Sequence, residues 1–315
     1  MTRKLFVHGL LIDGNGGQPV EESAMLVEDH KIKAIGKAAD FTSCEPDVEI
    51  IDCRGKILMP GLINGHVHIF MEPYTWDREK FMQEPLSLLC VEIIDNLHKT
   101  LRSGVTYVRD LGGYQDLDLQ FRDYIDEGKV LGPNMICARH PLTITGGHGR
   151  DFGLECDGAT AFIRGVREQI RAGADVIKIM PTAGYSRPKM KVNHNIVADT
   201  IYMSPMEIKA ACDEAHKMGK MVAAHCCGYT GVYHAVMNGV DTIEHGQFRD
   251  TTGAEIPQLI EEMVKRGTWL VPTLAAYFKE YERAESEQNY QSVIETFRLC
   301  HQAGVKIALG TDAGV

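Results

Sequence analysis

The stretch Lys56 to Phe70, KILMPGLINGHVHIF, sets two histidines two residues apart, His66 and His68, directly after an apolar run. Alternate residues of an extended strand share one face, so the two imidazoles can hold one cation. Packing is the competing explanation, because an HxH triplet alone has little specificity. Four more residues of matching chemistry stand at the ends of short apolar runs further on. They are Lys178 in DVIKIM, His225 closing MVAAH, His245 closing DTIEH and Asp312 in ALGTD. Taken singly, a strand lysine snorkels, a strand histidine packs and an Asp in a GTD turn caps. Taken together, they are a metal-compatible set of side chains.

The elements that must position them follow from the rhythm of the chain. Residues 1–56 predict a small β domain: a strand in KLFVHGLLIDG, a hairpin in ESAMLVEDHKIKAIG and a further strand in VEIIDCRG. From residue 57 short apolar runs alternate with helical patterns. The strands are expected at 57–64, 106–110, 134–139, 175–180, 221–225, 241–245, 268–273 and 305–312. Helices are expected in PLSLLCVEIIDNLHKTLRSG, TAFIRGVREQIRAG, SPMEIKAACDEAHKMG, IPQLIEEMVKRG and SVIETFRLCHQAG. Ser204, Pro205 and Glu207 spell a capping box at the start of the third of these. Alternating strands and helices give a parallel sheet, and eight repeats give a closed α/β (β/α)8 TIM-like barrel of about 250 residues over 57–315. In such barrels chemistry sits at the carboxyl ends of the strands. His66 and His68, Lys178, His225, His245 and Asp312 fall at that end of strands 1, 4, 5, 6 and 8. The chain stops three residues after Asp312 with no eighth helix, and the small β domain has no returning segment, so a C-terminal part is expected to be missing.

The chain has 315 residues, of which 44% are hydrophobic, and a net charge of −10. That composition supports a large core and argues against nucleic acid or an anionic membrane as partner. Nine cysteines follow no spacing pattern, which fits reduced thiols. No secretory leader or transmembrane run is evident, and the expected location is the cytoplasm.

With this ligand pattern the sequence resembles the amidohydrolase superfamily. The resemblance extends over the whole chain. It implies an HxH after strand 1, a carboxylated lysine on strand 4, single histidines after strands 5 and 6 and an Asp after strand 8, matched here by His66, His68, Lys178, His225, His245 and Asp312. It also implies a small β-sandwich-type domain built from both chain ends, and a homo-oligomer. The expected cofactors are two divalent metal ions, zinc foremost, bridged by carboxylated Lys178. His66, His68, Lys178 and Asp312 hold one ion, and Lys178, His225 and His245 the other. A hydroxide between the ions attacks a carbonyl, and Asp312 passes the proton to the leaving amine. Single-metal deaminases of the superfamily often carry HxxE after strand 5; here Cys226, Cys227 and Gly228 follow His225.

The loops ARHPLTITGGHGRD and HCCGYTG resemble the imidazolonepropionase-like and prolidase-like branch, whose members include Xaa-Pro and Xaa-Arg/Lys dipeptidases. By that resemblance His140 and Tyr229 bind the scissile carbonyl or the substrate carboxylate; His148 has loop packing as its alternative. Arg187, Lys189 and Lys191 could meet a carboxylate or simply be solvated, and Tyr74 and Trp76 could wall the site. The expected activity is hydrolysis of a dipeptide or N-acyl amino acid. The alternatives are ring opening of a cyclic amide, deamination of a heterocycle, or an inactive scaffold relative.

Overall fold

The first barrel run breaks at Pro60-Gly61, and the computed structural model shows why. The structure describes residues 2–41, 47–71, 83–184, 200–248, 255–276 and 287–314. The chain divides into two compact units, Met1–Leu62 and Ile63–Val315. Ile57–Leu58 pairs in parallel with the first strand of the chain, and the barrel strand begins only at Leu62. The expected strand over 57–64 is therefore two strands. Pro60, with no N–H to donate, stands at the break.

The first unit is a five-stranded sheet in which β1 (Arg3–Leu11) is central. It pairs antiparallel with β2 (Val20–Glu28), which forms a hairpin with β3 (Lys31–Lys37). It pairs in parallel with β4 (Glu49–Asp52) and β5 (Ile57–Leu58). The Asp29-His30 turn closes the hairpin, with Asp29 at φ 51°. Among the unit's described residues Leu5, Leu11, Ala24 and Cys53 are the buried apolar ones.

The second unit alternates strands with helices. In order come β6 (Leu62–Val67), α1 (Leu86–Arg102), β7 (Val105–Asp110), α2 (Leu117–Asp126) and β8 (Asn134–Cys137). Two short strands, β9 (Leu142–Thr143) and β10 (Leu154–Glu155), bracket a loop. Then follow α3 (Ala159–Ala172), β11 (Ile177–Ile179), α4 (Pro205–Lys217), β12 (Val222–Cys227) and α5 (Tyr229–Met237). The series ends with β13 (Thr242–Gln247), α6 (Ile256–Arg266), β14 (Trp269–Val271) and α7 (Glu287–Gln302). The pairs β7–β8, β11–β12, β12–β13 and β13–β14 are parallel.

Closure comes from single bonds at the seams. Asp175 N–H donates to Cys137 O at 2.8 Å, joining the third strand to the fourth. Residues 305–313 form the eighth segment, bridged in parallel to β14 at Leu270–Ile307 and to β6 at Val67–Ala313. Gly65 N–H donates to Leu309 O at 2.7 Å, Asp312 N–H to His66 O at 2.9 Å and His68 N–H to Ala313 O at 2.8 Å. The result is the eight-stranded barrel architecture the alternating pattern predicts.

The helices bury the faces their periodicity marks. Leu89, Ile93 and Leu97 of α1 recur every four residues and are all but fully buried. Ser204 caps α4 as expected: its Oγ accepts from Glu207 N–H and the Glu207 carboxylate accepts from Ser204 N–H. Two helices escape sequence reading. α2 starts at Asp116, whose φ is 63° and whose carboxylate binds Arg139 and His140 instead of capping the helix. α5 carries Gly231 in its first turn, a weak helix former. A Cβ there would lie 2.2 Å from Thr182 Cγ2, so packing against the end of β11 requires the glycine.

Candidate metal centre

Where β6 ends, His66 and His68 meet the eighth segment. The approach is close enough to need glycines: a Cβ on Gly310 would lie 2.4 Å from Val271 Cγ1 and 3.1 Å from His66 Cβ. Donor atoms of His66, His68 and Asp312 lie within 4.8 Å of one another. His66 Nε2 is 3.2 Å and His68 Nε2 3.5 Å from Asp312 Oδ1. The other two histidines extend the group. Ring centroids are 4.9 Å apart for His66–His245 and 4.6 Å for His225–His245. Lys178, on β11 next to β12, is 1% exposed and acts electrostatically on His68, His225 and His245. The six residues singled out from the sequence thus gather at the carboxyl end of the barrel.

Each imidazole is oriented through its far nitrogen. His66 Nδ1 lies 2.8 Å from Glu244 Oε2, and Glu244 is buried. Burial opposes ionisation of Glu244, but Arg109 and His66 hold its carboxyl well below the usual range. An ionised Glu244 makes Nδ1 the protonated nitrogen and leaves the Nε2 lone pair facing Asp312. Glu244 Oε1 in turn accepts from Arg109 Nη2 at 2.8 Å and Thr242 Oγ1 at 2.5 Å. His68 Nδ1 donates to Gly112 O at 3.1 Å, and Asp110 fixes that loop by accepting from Gly112 N–H and Ile69 N–H. His225 Nε2 faces Ala183 O at 3.2 Å, and His245 Nδ1 faces Thr273 Oγ1 at 2.7 Å.

Backbone strain collects at the same place. His245 has φ 71°, Asp312 φ 59° and Thr273 φ 41°. A β-branched residue at positive φ is a true outlier, and such strain persists only where the surroundings impose it. At His245 its effect is visible. Alternate residues of a strand face one way, yet Glu244 and His245 both serve the site. The turn at His245 and Gly246 (φ 61°), with a register irregularity opposite Cys226 and Cys227, reverses the alternation.

The electrostatics favour a cation. Burial pushes the His68 imidazole down to about 4 and those of His225 and His245 well below their usual value, so these rings are neutral donors. Burial, opposed by Glu244 and Asp312, brings the Lys178 amine down to about 8. Burial works against the Asp312 charge, and positive charge on the side of His66, His245 and His68 is what holds its carboxyl well below the usual range. His66 Nε2 and Asp312 Oδ1, although 3.2 Å apart, lack hydrogen-bond geometry, and both are buried without a hydrogen-bond partner. A lone pair and an anionic oxygen facing each other in a buried site repel unless a cation lies between them. The donor set therefore fits a divalent metal, which His66, His68 and Asp312 would share.

The remaining expectations fare differently. His140 has both ring nitrogens engaged, Nδ1 donating to Phe152 O at 2.8 Å and Nε2 facing Asp116 Oδ1 at 3.1 Å. Tyr229 opens α5, its ring stacked on Tyr233 with centroids 6.0 Å apart. His148, for which loop packing was the alternative, has its ring 4.4 Å from that of His225. Tyr74, Trp76, Arg187, Lys189 and Lys191 lie outside the described residues. Sequence reading missed Glu244, Arg109 and Asp110. Their signal was a charge inside an apolar strand run, in TIEH and TYVRD, which the search for ligands passed over.

Comparison with known proteins places the chain among hydrolases. An ochratoxinase of Aspergillus niger is 28% identical over 340 aligned positions, spanning 96% of this chain and 68% of its own length. An imidazolonepropionase of Mesorhizobium japonicum is 23% identical over 326 positions, spanning 93% of this chain and 72% of its own. The crystal structure of a Xaa-Pro dipeptidase with methionine bound in its active site superposes with a TM-score of 0.82 and 28% identity, covering all of this chain and 80% of that one. Residues 57–315, which carry the converging histidines, match the amidohydrolase family, and the chain is a member of it.

Proposed function

We propose that this protein is a binuclear metal-dependent hydrolase of amide bonds, acting on dipeptides or N-acyl amino acids. The observation that carries the reading is the buried, unpartnered pair His66 Nε2 and Asp312 Oδ1, ringed by His68, His245 and Lys178. His66, His68 and Asp312 would hold one ion, His225 and His245 the other, with Lys178 shared. Lys178 is suited to that role once carboxylated. Its desolvated neutral amine adds carbon dioxide, forming an N–C bond and releasing a proton, and the carbamate offers two oxygens. Zinc suits imidazole and carboxylate donors. Bound divalent metal would supply Lewis acidity toward a carbonyl and make water a nucleophile near neutral pH.

The chain's own groups complete the reaction. Asp312 accepts the proton of the attacking water and delivers it to the departing amine nitrogen, so that amide and water give carboxylate and amine. As a carboxylate it has the free lone pair a base needs. Glu244 and Gly112 fix His66 and His68 in one tautomer each. Tyr229, four residues past His225 at the start of α5, supplies a hydroxyl toward the substrate carbonyl. We assign His140 to holding the loop at Phe152 and not to substrate contact, since both its nitrogens are committed.

The metal-loaded protein should release amine from members of a panel of dipeptides and N-acyl amino acids. Absence of turnover across the panel removes the substrate assignment. Ammonia as the product would instead establish a deaminase.

A further inference from the structure

The candidate metal centre occupies the carboxyl ends of the barrel strands; the amino ends hold a feature it does not use. In eight-stranded barrels the interior is normally filled by layers of side chains. Around strands 2 to 5 that rule is kept: Leu111, Ala138, Val176 and Ala223 are buried against one another. Elsewhere it is broken. A cavity of about 330 Å³ is lined from strands 1, 2, 3, 6, 7 and 8. Two small residues help to leave it there. Gly65 lines it, and a Cβ on that residue would lie 3.0 Å from Leu309 O, so the close approach of the eighth segment keeps the position bare. Ala308 contributes only a methyl group from that segment.

The walls are apolar, made by Ile63, Tyr107, Ile136, Trp269 and Val271. Arg109 stands at the inner end, toward the metal centre, with its guanidinium committed. Nε donates to Gly65 O at 2.6 Å, Nη1 to Thr242 Oγ1 at 3.1 Å and Nη2 to Glu244 Oε1 at 2.8 Å. The outer end differs. Ile63 is 60% exposed and Trp269 37%, so the cavity reaches solvent there. Lys306 shares a face of the extended eighth segment with Ala308, and its Nζ lies 5.2 Å from the centroid of the Trp269 ring. It is exposed and forms no ion pair among the described residues.

Size and lining are those of a small-molecule site. An apolar cavity of about 150 Å³ already suffices for benzene. Tyr107 and Trp269 offer flat faces to a ring system, Arg109 has its charge matched by Glu244, and the rim carries a free ammonium. We propose that this cavity binds a planar apolar carboxylate about the size of a two-ring acid, its rings among the apolar walls and its carboxylate at Lys306. The site uses none of the proposed metal ligands, so it stands apart from the hydrolase reading.

The test reads Trp269 itself. The chain has two tryptophans, Trp76 and Trp269, so 5-fluorotryptophan labelling gives two fluorine resonances, assigned with Trp76→Phe. 2-Naphthoate and 2-naphthamide are titrated separately into the labelled, metal-loaded protein. The acid should shift the Trp269 resonance saturably and bind about threefold more tightly than the amide at low salt. Lys306→Met, at the exposed rim, should remove that difference with the circular dichroism spectrum unchanged. Ala308→Leu should fill the cavity and abolish the shift; if that variant does not fold, Ile136→Phe serves instead. An unmoved Trp269 resonance, a shift confined to Trp76, equal affinity for acid and amide, a preference that survives Lys306→Met, or a shift that survives filling of the cavity overturns the proposal. Turnover is not read, so failure here leaves the hydrolase reading standing, and an inactive protein leaves this site standing.

Discussion

Glu244 shows how much of a metal centre lies behind its ligands. It is buried, it fixes His66 through Nδ1, and Arg109 and Thr242 fix it in turn. Removing such a support costs about 10–100-fold in metal affinity. Glu244→Gln should lie in that range by competitive chelator titration, with the fold retained by circular dichroism. Affinity equal to the parent would show that His66 needs no such partner. Lys178 behaves differently, because it is itself the shared donor in the proposed scheme. Lys178→Ala should lower the metal content measured by elemental analysis and abolish most turnover, with no rescue by bicarbonate. Two full equivalents of metal in that variant would refute the bridging role. At this scale the sequence was legible where residue type and strand-end position coincided, as for His66, His68, His225, His245 and Asp312. It was opaque for Glu244, because strict strand alternation points a residue next to His245 the other way. Only the left-handed backbone at His245 brings both into the site.

Among the elements, α4 and α5 mark the two ends of legibility. The Ser204–Glu207 capping box is a local signal and formed as the residues imply. α5 carries a glycine whose reason is tertiary, the 2.2 Å approach of Thr182. Gly231→Ala improves intrinsic helix propensity by at most about 1 kcal/mol in this first-turn position, yet overpacking costs about 1–3 kcal/mol. We expect net destabilisation, seen as a lower denaturant midpoint with unchanged m-value. A more stable variant would mean that Thr182 moves aside freely. The strand at 57–64 failed for a related reason: apolar residues flank Pro60-Gly61 on both sides, but the pairing partners of the two halves lie in different sheets.

For the whole molecule, the barrel was readable from eight alternating runs because each unit is local, whereas its closure was not. The eighth segment joins its neighbours through isolated bridges and a few amide bonds, with little regular strand. The candidate ligands come from strands 1, 4, 5, 6 and 8, so a cation bound by all of them ties distant parts of the chain together. Anything that binds the folded state alone raises stability with concentration. Removing metal with a chelator should therefore lower Tm by several degrees, and re-adding zinc should restore it. A Tm indifferent to both would separate the site from the integrity of the barrel. Among the described residues no helix is long and apolar enough to cross a membrane.

Asp312 has one further bearing, through the amide it donates to His66 O while its side chain faces the same histidine's ring. The first and last staves of the barrel are thus fastened twice at one point, once by backbone and once through the proposed cation. Amide protons of Gly65, His68 and Asp312, all of which fasten that joint, should exchange with deuterium faster in the stripped protein, while those of β12 and β13 keep their pace. Metal release would then be read as a loosening of one edge, and the molecule would open where it carries out its chemistry.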